Sequence, residues 1–407
     1  MTDFRLLATG MSLSWLGNGF QTVALAVAVL VAGGGAGDLG LVMAASIVAM
    51  LLCTLFGGVW ADRVQPQRVM VLSDAVRFVA TAGITVMFGS GSYHLPVLCA
   101  LAVVSAGAGA FFEPAMTTLK PMLVSVDRRQ HANATLSLLK TGAAVLGPAI
   151  GGLTVAQFGA TAGFAVNAAS FLASLVAAAL IRARAERGIR SGMLTELGAG
   201  WREIRARDWL LTGVLAAAVY HVANGVVLVL VQVVAIEQLG GARSAGFIAA
   251  AEGLGGVVGA TIAMRWRPVR LLRAGGFTLL LMPFWALAYV WPGLLTAVLA
   301  GAVLGYAGLT FFSVAWDTAL QDHIPHGVLA RVSSWDLLTS FLAMPIGNAL
   351  AGPLSEAFGI NRVLVVCAVV LFGAGLAPLF LRSTRTLTRR TSPDTGEKTL
   401  VGVPGTV

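Results

Sequence analysis

Twelve long runs of apolar residues, separated by short polar segments, account for almost the whole chain. Each run has about 18 residues or more, the length at which an α-helix can cross about 30 Å of hydrocarbon. The runs are too long and too continuously apolar for barrel strands, and backbone amides in lipid must bond within their own segment. The pattern predicts an all-α polytopic membrane protein with twelve spans, at 6–31, 39–61, 69–89, 94–118, 132–158, 160–181, 209–236, 244–264, 274–291, 293–320, 332–357 and 361–381.

The longest polar stretch between spans, residues 183–208, separates six predicted spans from six. We therefore expect an N-terminal six-helix bundle at 1–182, a cytoplasmic linker at 183–208 and a C-terminal six-helix bundle at 209–382. Within the linker, residues 201–205 suit either an amphipathic helix on the membrane surface or a solvated basic segment. The tail at 383–407 mixes Ser, Thr, Gly, Pro and charged residues, which predicts disorder.

Composition and charge agree with a membrane location. Apolar residues make up 57% of the chain and charged residues 11%, against about 25% charged in a soluble domain. If both termini are cytoplasmic, all but four of the 27 Lys and Arg residues fall on the inner side, as the positive-inside rule requires. The net charge of +9 is then a sign of topology and of attraction to anionic membrane lipids, and it predicts no nucleic-acid partner.

The cysteines predict no metal site and no disulfide. Cys53, Cys99 and Cys367 lie singly within apolar runs and show no metal-ligand spacing. We expect no cofactor.

The two halves of the chain resemble each other. Residues 111–159 align without a gap on residues 311–359, and the match includes the glycine pairs Gly147 with Gly347 and Gly152 with Gly352. A weaker match at the same offset places Gln21 of the first span on His221 of the seventh. A hydrophobic chain built from two similar halves usually binds its substrate between them and exposes that site to each side in turn. The repeat therefore predicts a transporter.

Two segments resemble signatures of the major facilitator superfamily. The loop after the second span resembles the superfamily's Gly-Asp-Arg loop signature, although Gln65, Pro66 and Gln67 depart from its Gly and basic positions. The fifth span looks like the G-P-x-x-G-G core of the antiporter motif, and the whole pattern is most similar to the macrolide and enterobactin exporter branch. The residues that carry the resemblance are Gly58, Asp62, Arg63, Arg68, Asp74, Arg77, Phe112, Pro114, Ala115, Gly147, Pro148, Gly151, Gly152 and Arg331.

The resemblance implies a gate at the cytoplasmic surface. In the family, the loop around Asp62 is thought to lock the outward-facing state against the start of the eleventh span, here around Ser333, Ser334 and Asp336. A solvated turn is the alternative for Asp62. Asp74 and Arg77, three residues apart on one helix face, are either a structural ion pair or part of the same gate.

Ionisable residues within the spans are the candidates for proton coupling, because an ionisable group in a bilayer is costly and usually functional. Lys140 and Glu252 both lie near mid-depth, and we hypothesise that they pair across the junction of the halves. The alternative is that each has separate neighbours or cavity water. The coupling candidates are Glu113, Lys140, Glu252 and Asp317, and His221 titrates in the working range.

The resemblance also implies a shared substrate pocket, because spans 1, 4, 7 and 10 line the cavity in this superfamily. Acidic groups beside aromatic rings would suit a large, partly cationic substrate. The alternative is that each polar residue only makes a hydrogen bond between helices. The expected pocket comprises Asn18, Gln21, Phe112, Glu113, His221, Asn224, Trp316 and Asp317.

The expected function is secondary active export of a small hydrophobic or amphipathic compound across the bacterial inner membrane, by alternating access and in exchange for protons, by a monomer. An importer or facilitator of one metabolite and a membrane sensor are the alternatives. An enzyme is not expected, because the chain has no H-E-x-x-H, G-x-S-x-G or Walker motif.

Overall fold

A computed structural model describes residues 2–61, 65–125, 128–181, 201–291 and 293–388, and the side chains within these ranges except at residues 2, 55–61, 121, 326–327, 330–331, 334, 337–338 and 340–341. The elements in these ranges are helices, without strands. The N-terminal half contains α1 (Thr2–Val31), α2 (Ala36–Ala61), α3 (Pro66–Gly89), α4 (Leu95–Leu119), α5 (Arg129–Phe158) and α6 (Ala160–Leu180). The C-terminal half contains α7 (Asp208–Gln238), α8 (Ala242–Arg265), α9a (Leu271–Leu279), α9b (Met282–Leu287), α10 (Leu295–His323), α11 (His326–Phe358), α12 (Ile360–Phe380) and α13 (Arg382–Thr386).

The predicted twelve-span, all-α architecture is confirmed. Ten described helices are long and apolar enough to cross a membrane. The other two spans are α11, with 33 residues, and the ninth span, which runs from Leu271 to Leu287 in two pieces. The ninth span breaks just before Pro283, whose ring nitrogen carries no hydrogen for the helical ladder.

The most extensive contacts between the halves are those of α5 with α8 and of α2 with α11. Within each half the packing repeats: α1 packs on α5 and α6 as α7 packs on α11 and α12, and α2 packs on α4 as α8 packs on α10. The two halves are therefore related by a pseudo-twofold relation. We call the end of the bundles at which α6 ends and α7 begins the linker end, and the other the opposite end.

The turns at 159 and 359 explain one part of the sequence repeat. Gly159 separates α5 from α6 with φ of 82°, and Gly359 separates α11 from α12 with φ of 81°. A residue with a Cβ is strained at such an angle, so both positions favour glycine. The same sharp turn is built twice.

The repeat has a different offset in the first helix of each half. Gly147 approaches the carbonyl oxygen of Leu16 in α1, and Gly347 approaches that of Val222 in α7. Gly147 and Gly347 are 200 positions apart, but Leu16 and Val222 are 206 positions apart. The predicted match of the first and seventh spans was therefore out of register by six residues.

This register changes which polar residues correspond. Gln21 does not correspond to His221. Instead Asn18 of α1 corresponds to Asn224 of α7, since these residues are also 206 positions apart.

Parts of the linker and of the tail pack on the C-terminal half. Residues 201–205 are helical, and Ile204 is fully buried in a cluster with Trp209 and Leu210. The tail was expected to be disordered from Ser383, but α13 begins at Arg382 and Thr384 is buried. Apolar contacts available at this end of the bundle explain the difference. The rest of the linker, at 183–200, and the tail from 389 lie outside the described residues.

Candidate functional site

The predicted gating loop lies largely outside the described residues. Asp62 and Arg63 are not among them, and the side chain of Arg331 is also not described. Gly58 lies in α2, and Arg68 is exposed in the first turn of α3. The gating role of this loop stays a prediction.

Gln67, which departs from the family pattern, contacts the end of another helix. Its Nε2 donates to the carbonyl oxygens of Ala178, at 3.0 Å, and of Ile181, where α6 ends. The last carbonyls of a helix have no partner within the helix and carry partial negative charge. A donor at position 67 satisfies them, as a basic residue would.

We expect Gln67→Ala to lower the free energy of unfolding by about 1 kcal/mol, the net value of a hydrogen bond. Gln67→Glu should cost more, because a carboxylate would face carbonyl oxygens, whereas Gln67→Lys should stay close to wild type. The measurement is thermal unfolding of the detergent-solubilised protein, with the exposed neighbour Arg68→Ala as the control. Equal stability of the Glu and Lys variants would contradict this role.

Asp74 and Arg77 form an ion pair inside the N-terminal half. Arg77 Nη1 lies 3.4 Å from Asp74 Oδ1, and Asp74 is fully buried. Arg77 Nη2 donates to Asn18 Oδ1 at 3.1 Å, and the guanidinium lies 3.9 Å from the ring centroid of Phe171. Arg77 therefore links α3 to α1 and α6, about 16 Å from the start of α3. This geometry favours the structural role over the gate.

The glycines of the α5 motif face two different partners. Gly147 and Gly151 lie against α1 of the same half. Gly152 lies against α8 of the other half, where a Cβ would be 2.6 Å from Ala242 O and 2.7 Å from Gly246 Cα. Small residues permit such close approach of helix backbones. One face of the motif holds α5 in its bundle, and the other joins the halves at the opposite end.

Lys140 pairs with Glu113 and not with Glu252. Lys140 Nζ lies 3.8 Å from Glu113 Oε1 and 5.8 Å from the ring centroid of Trp15. Both charged side chains are more than half exposed, 63% for Lys140 and 53% for Glu113. The hypothesised Lys140 to Glu252 pair is not formed in this structure, because Lys140 points to α4.

Glu252 lies in a cluster of aromatic residues with polar groups. Trp285, Tyr289 and Tyr306 lie close to its carboxyl group. The rings of Tyr289 and Tyr306 pack edge-on against the ring of Trp285, with centroids 6.2 Å and 5.5 Å away. The hydroxyl group of Tyr220 is close enough to that of Tyr306 to interact with it electrostatically. No Lys or Arg acts on Glu252 in the part of the chain that the structure describes. The cluster therefore places one carboxyl group among aromatic side chains, with no countercharge among the described residues.

A cavity of about 510 Å³ lies within the C-terminal half. It runs from Trp209, at the linker end, to Tyr306 and Leu228 near mid-depth. Its volume is in the range of about 300 to 1,000 Å³ that is typical of small-molecule sites. Its lining is mostly apolar and aromatic.

Four members of the predicted substrate pocket line this cavity, namely His221, Asn224, Trp316 and Asp317. Asp336, predicted as part of the gate, also lines it and accepts a hydrogen bond from Trp316 Nε1 at 3.0 Å. His221 Nδ1 lies 2.7 Å from the carbonyl oxygen of Ala217, which can only accept, so Nδ1 carries a hydrogen.

The other four members of that pocket do not line the cavity. Asn18 accepts from Arg77, and Gln21 accepts from Nδ2 of the buried Asn167. Phe112 is buried in the core of the N-terminal half, and Glu113 pairs with Lys140. The structure thus does not bring the predicted set together.

The tyrosines near Glu252 were not among the site residues predicted from the sequence. Two of the four tyrosines in the chain, Tyr289 and Tyr306, lie beside Glu252, and a third, Tyr220, lies beside Tyr306. Their scarcity was a usable signal, because a hydroxyl within an apolar span needs a partner. Tyr220 and Tyr306 also line the cavity and so connect it to Glu252.

Residues 7–347 match the family model of the Major Facilitator Superfamily. The chain belongs to the Major Facilitator Superfamily. Membership in the superfamily makes it a multi-pass membrane transporter and not an enzyme, and it explains the two pseudo-symmetric bundles.

Curated relatives of this superfamily transporter cover nearly its whole length. The chain is 27% identical to the multidrug efflux pump Tap of Mycolicibacterium fortuitum over 396 residues, which cover 93% of this chain and 95% of the relative. It is 24% identical to the putative bacilysin exporter BacE of Bacillus subtilis, over 78% of this chain and 80% of the relative.

Solved structures share the fold. A bacterial homologue of the iron transporter ferroportin in the inward-facing state superposes with a TM-score of 0.76 at 18% identity, covering 93% of this chain and 98% of that one. A bacterial homologue of the lysosomal transporter Spinster, also inward-facing, gives 0.74 at 16% identity, covering 96% and 99%. At such identities the likeness concerns the fold alone.

Proposed function

We propose that this Major Facilitator Superfamily protein exports a small hydrophobic or amphipathic compound, such as a drug or another natural product, across a bacterial inner membrane in exchange for protons. The protein works as a monomer with both termini in the cytoplasm. The N-terminal bundle, at 1–182, and the C-terminal bundle, at 209–382, move against each other about the junction of α5 with α8 and of α2 with α11. The observation that carries the proposal is the cavity of the C-terminal half beside Glu252.

The lining of the cavity supports the substrate class. Aromatic side chains such as Trp209, Phe312 and Trp316 offer flat apolar surfaces, and Asp317 and Asp336 add negative charge. Lys and Arg are absent from the described lining residues. Such a cavity favours an organic compound with an apolar body and a positive charge.

The uneven packing of the halves supports alternating access. At the opposite end the backbones of α5 and α8 approach closely at Gly152 and Gly246. About 16 Å from the linker end of α5, the pair of Lys140 and Glu113 is exposed. Charged side chains at this depth belong in water and not in lipid, so they indicate an aqueous cleft between the halves. With positive-inside orientation, the cleft opens to the cytoplasm.

The direction of transport rests on the relatives. One is named a multidrug efflux pump and another a putative bacilysin exporter, and the pump is aligned over almost the full chain. Export from the cytoplasm also suits a cavity that reaches the linker end, where the positive-inside rule places the cytoplasm.

Glu252 is our candidate for the coupling proton. Glu113 has the cationic neighbour Lys140, but Glu252 has no Lys or Arg beside it among the described residues. A lone carboxyl group in an apolar bundle binds a proton readily and releases it when water reaches it. Tyr306 lies beside Glu252 and also lines the cavity, so this carboxyl group is close to the cavity wall.

We expect Glu252→Gln to remove proton-dependent export. Cells that express the wild type should accumulate less of a fluorescent hydrophobic cation such as ethidium, and a protonophore should remove the difference. Glu252→Gln should reduce the effect by about tenfold or more, because a neutral amide cannot exchange a proton. Glu237→Gln, at the exposed end of α7, is the matched control. Export by Glu252→Gln that stays equal to wild type and sensitive to the protonophore would remove Glu252 from the mechanism.

A further inference from the structure

Asn224 is a polar side chain without a complete set of partners in the wall of the cavity. It is only 6% exposed, and its Oδ1 has no hydrogen-bond donor among the described residues. A buried amide oxygen left without a donor costs about 1 to 3 kcal/mol, so such an oxygen usually has a partner in some state of the protein. The N-terminal half shows which kind of donor an asparagine at this position binds.

The equivalent residue of the N-terminal half has its partner. Asn18 corresponds to Asn224 by the packing of α1 and α7 on Gly147 and Gly347. Asn18 Oδ1 accepts from the guanidinium of Arg77 at 3.1 Å. In the N-terminal half, the place beside this asparagine oxygen is therefore occupied by a cationic N–H donor.

The third helix of each half explains why the C-terminal half lacks this donor. Ser73 Oγ donates to Ala108 O in the N-terminal half, and Thr278 Oγ1 donates to Gly308 O in the C-terminal half. These equivalent bonds align α3 with α9a and place Leu279 where the N-terminal half has Asp74.

In the N-terminal half Arg77 follows Asp74 by three residues, but no arginine stands three residues after Leu279. The residue aligned with Arg77 is Met282, after the break in the ninth span. Leu279 itself lines the cavity, as does Leu309, the counterpart of the Gly109 that packs beside Arg77. The place that the Asp74 and Arg77 pair fills in one half is thus apolar and partly empty in the other.

We propose that the cavity of the C-terminal half binds the positively charged, N–H-bearing end of the transported compound at Asn224, as Asn18 binds Arg77 in the N-terminal half. Asp317 and Asp336 line the same cavity and give it negative charge. The ligand class is an aromatic or aliphatic amine or amidine with an apolar body. The inference rests on the proposed function only in identifying this ligand with the compound that is transported.

The test is direct binding to purified protein in detergent, with no gradient present. Ethidium is a planar cation with two NH₂ groups, and Nile red is a neutral dye without N–H groups. Trp209 and Trp316 line the cavity and report binding through their fluorescence. We expect Asn224→Leu to weaken ethidium binding by about tenfold or more and to leave Nile red binding unchanged, because only the charged donor uses the amide oxygen.

Two further variants complete the test. Gln232→Leu removes another amide oxygen without a partner from α7, outside the cavity, and should bind both dyes as wild type does. Asn224→Asp should bind ethidium at least as tightly as wild type.

Three results would overturn the subsite. They are wild-type ethidium affinity in Asn224→Leu, equal weakening of both dyes, and no saturable ethidium binding to the wild type. None of them depends on export, so failure of the subsite is distinguishable from failure of the transport function.

Discussion

Gly152→Leu is expected to abolish transport while leaving folded protein in the membrane. Gly152 lies against the other half, and a Cβ there would meet backbone atoms of Ala242 and Gly246 that cannot move aside. The halves could then not close at the opposite end, so the state described here would lose population. Transport should fall at least about tenfold, since each factor of ten needs only about 1.4 kcal/mol of bias between states.

Two other glycines of the same helix separate this effect from a folding defect. Gly147 lies against α1 of its own half, so Gly147→Leu should lower the amount of folded protein. Gly142 has nothing within 4 Å of its Cβ position, so Gly142→Leu should keep both fold and transport. The measurements are membrane level, monodispersity in detergent and dye export for each variant. Normal transport by Gly152→Leu would show that this contact does not take part in the cycle.

Arg77→Leu is expected to destabilise the N-terminal half strongly. The substitution leaves the carboxylate of Asp74 fully buried without its cation, and it also removes the bond to Asn18 and the contact with Phe171. Removal of one partner of a buried ion pair typically costs about 3 to 5 kcal/mol. Thermal unfolding of the solubilised protein and its level in the membrane measure the effect.

The C-terminal half supplies a rescue for this variant. Leu279 and Met282 stand at the positions equivalent to Asp74 and Arg77, so the double variant Asp74→Leu with Arg77→Met copies a packing that the fold already contains. Replacement of both partners of a buried pair by apolar residues is often close to neutral. We expect the double variant to regain most of the lost stability. If it is as unstable as Arg77→Leu, the ion pair is not the source of the effect; if it is stable but inactive, the pair belongs to the gate.

The fold could be predicted from the sequence because a backbone in lipid must satisfy its own hydrogen bonds. Apolar runs of sufficient length must be helices, so the spans followed from hydropathy alone. The break at Pro283 and the six-residue change of register between the first helices did not follow, because both depend on packing against neighbours. Among apolar residues, chance identities such as the valines of the first and seventh spans conceal the true register. Buried contacts, such as those of Gly147 and Gly347, reveal it.

The site was harder to predict for the same reason. Hydropathy places Lys140 and Glu252 at similar depth but does not say in which direction each side chain points around its helix. In the structure Lys140 points to Glu113, and Glu252 lies beside Tyr289 and Tyr306. Pairing of charges across helices depends on rotation about the helix axis, and a span that is apolar on most sides carries little information on that rotation.

The two halves share a fold but differ in their interior. The N-terminal half fills its centre with Arg77 and its partners, whereas the C-terminal half keeps a cavity at the corresponding place beside Glu252. In the function that we propose, the first half is the rigid one and the second half binds the ligand and the proton. In this account the N-terminal half acts mainly as the partner against which the C-terminal half moves.

The most direct test is transport by the purified protein in liposomes. With the interior made acidic, liposomes in which the side facing the cytoplasm in cells points outward should accumulate ethidium, and collapse of the pH gradient should stop accumulation. We expect this uptake for wild type and Gly142→Leu, and none above empty liposomes for Glu252→Gln and Gly152→Leu. Uptake that is indifferent to the pH gradient, or equal uptake by wild type and Glu252→Gln, would contradict proton-coupled export through the C-terminal half.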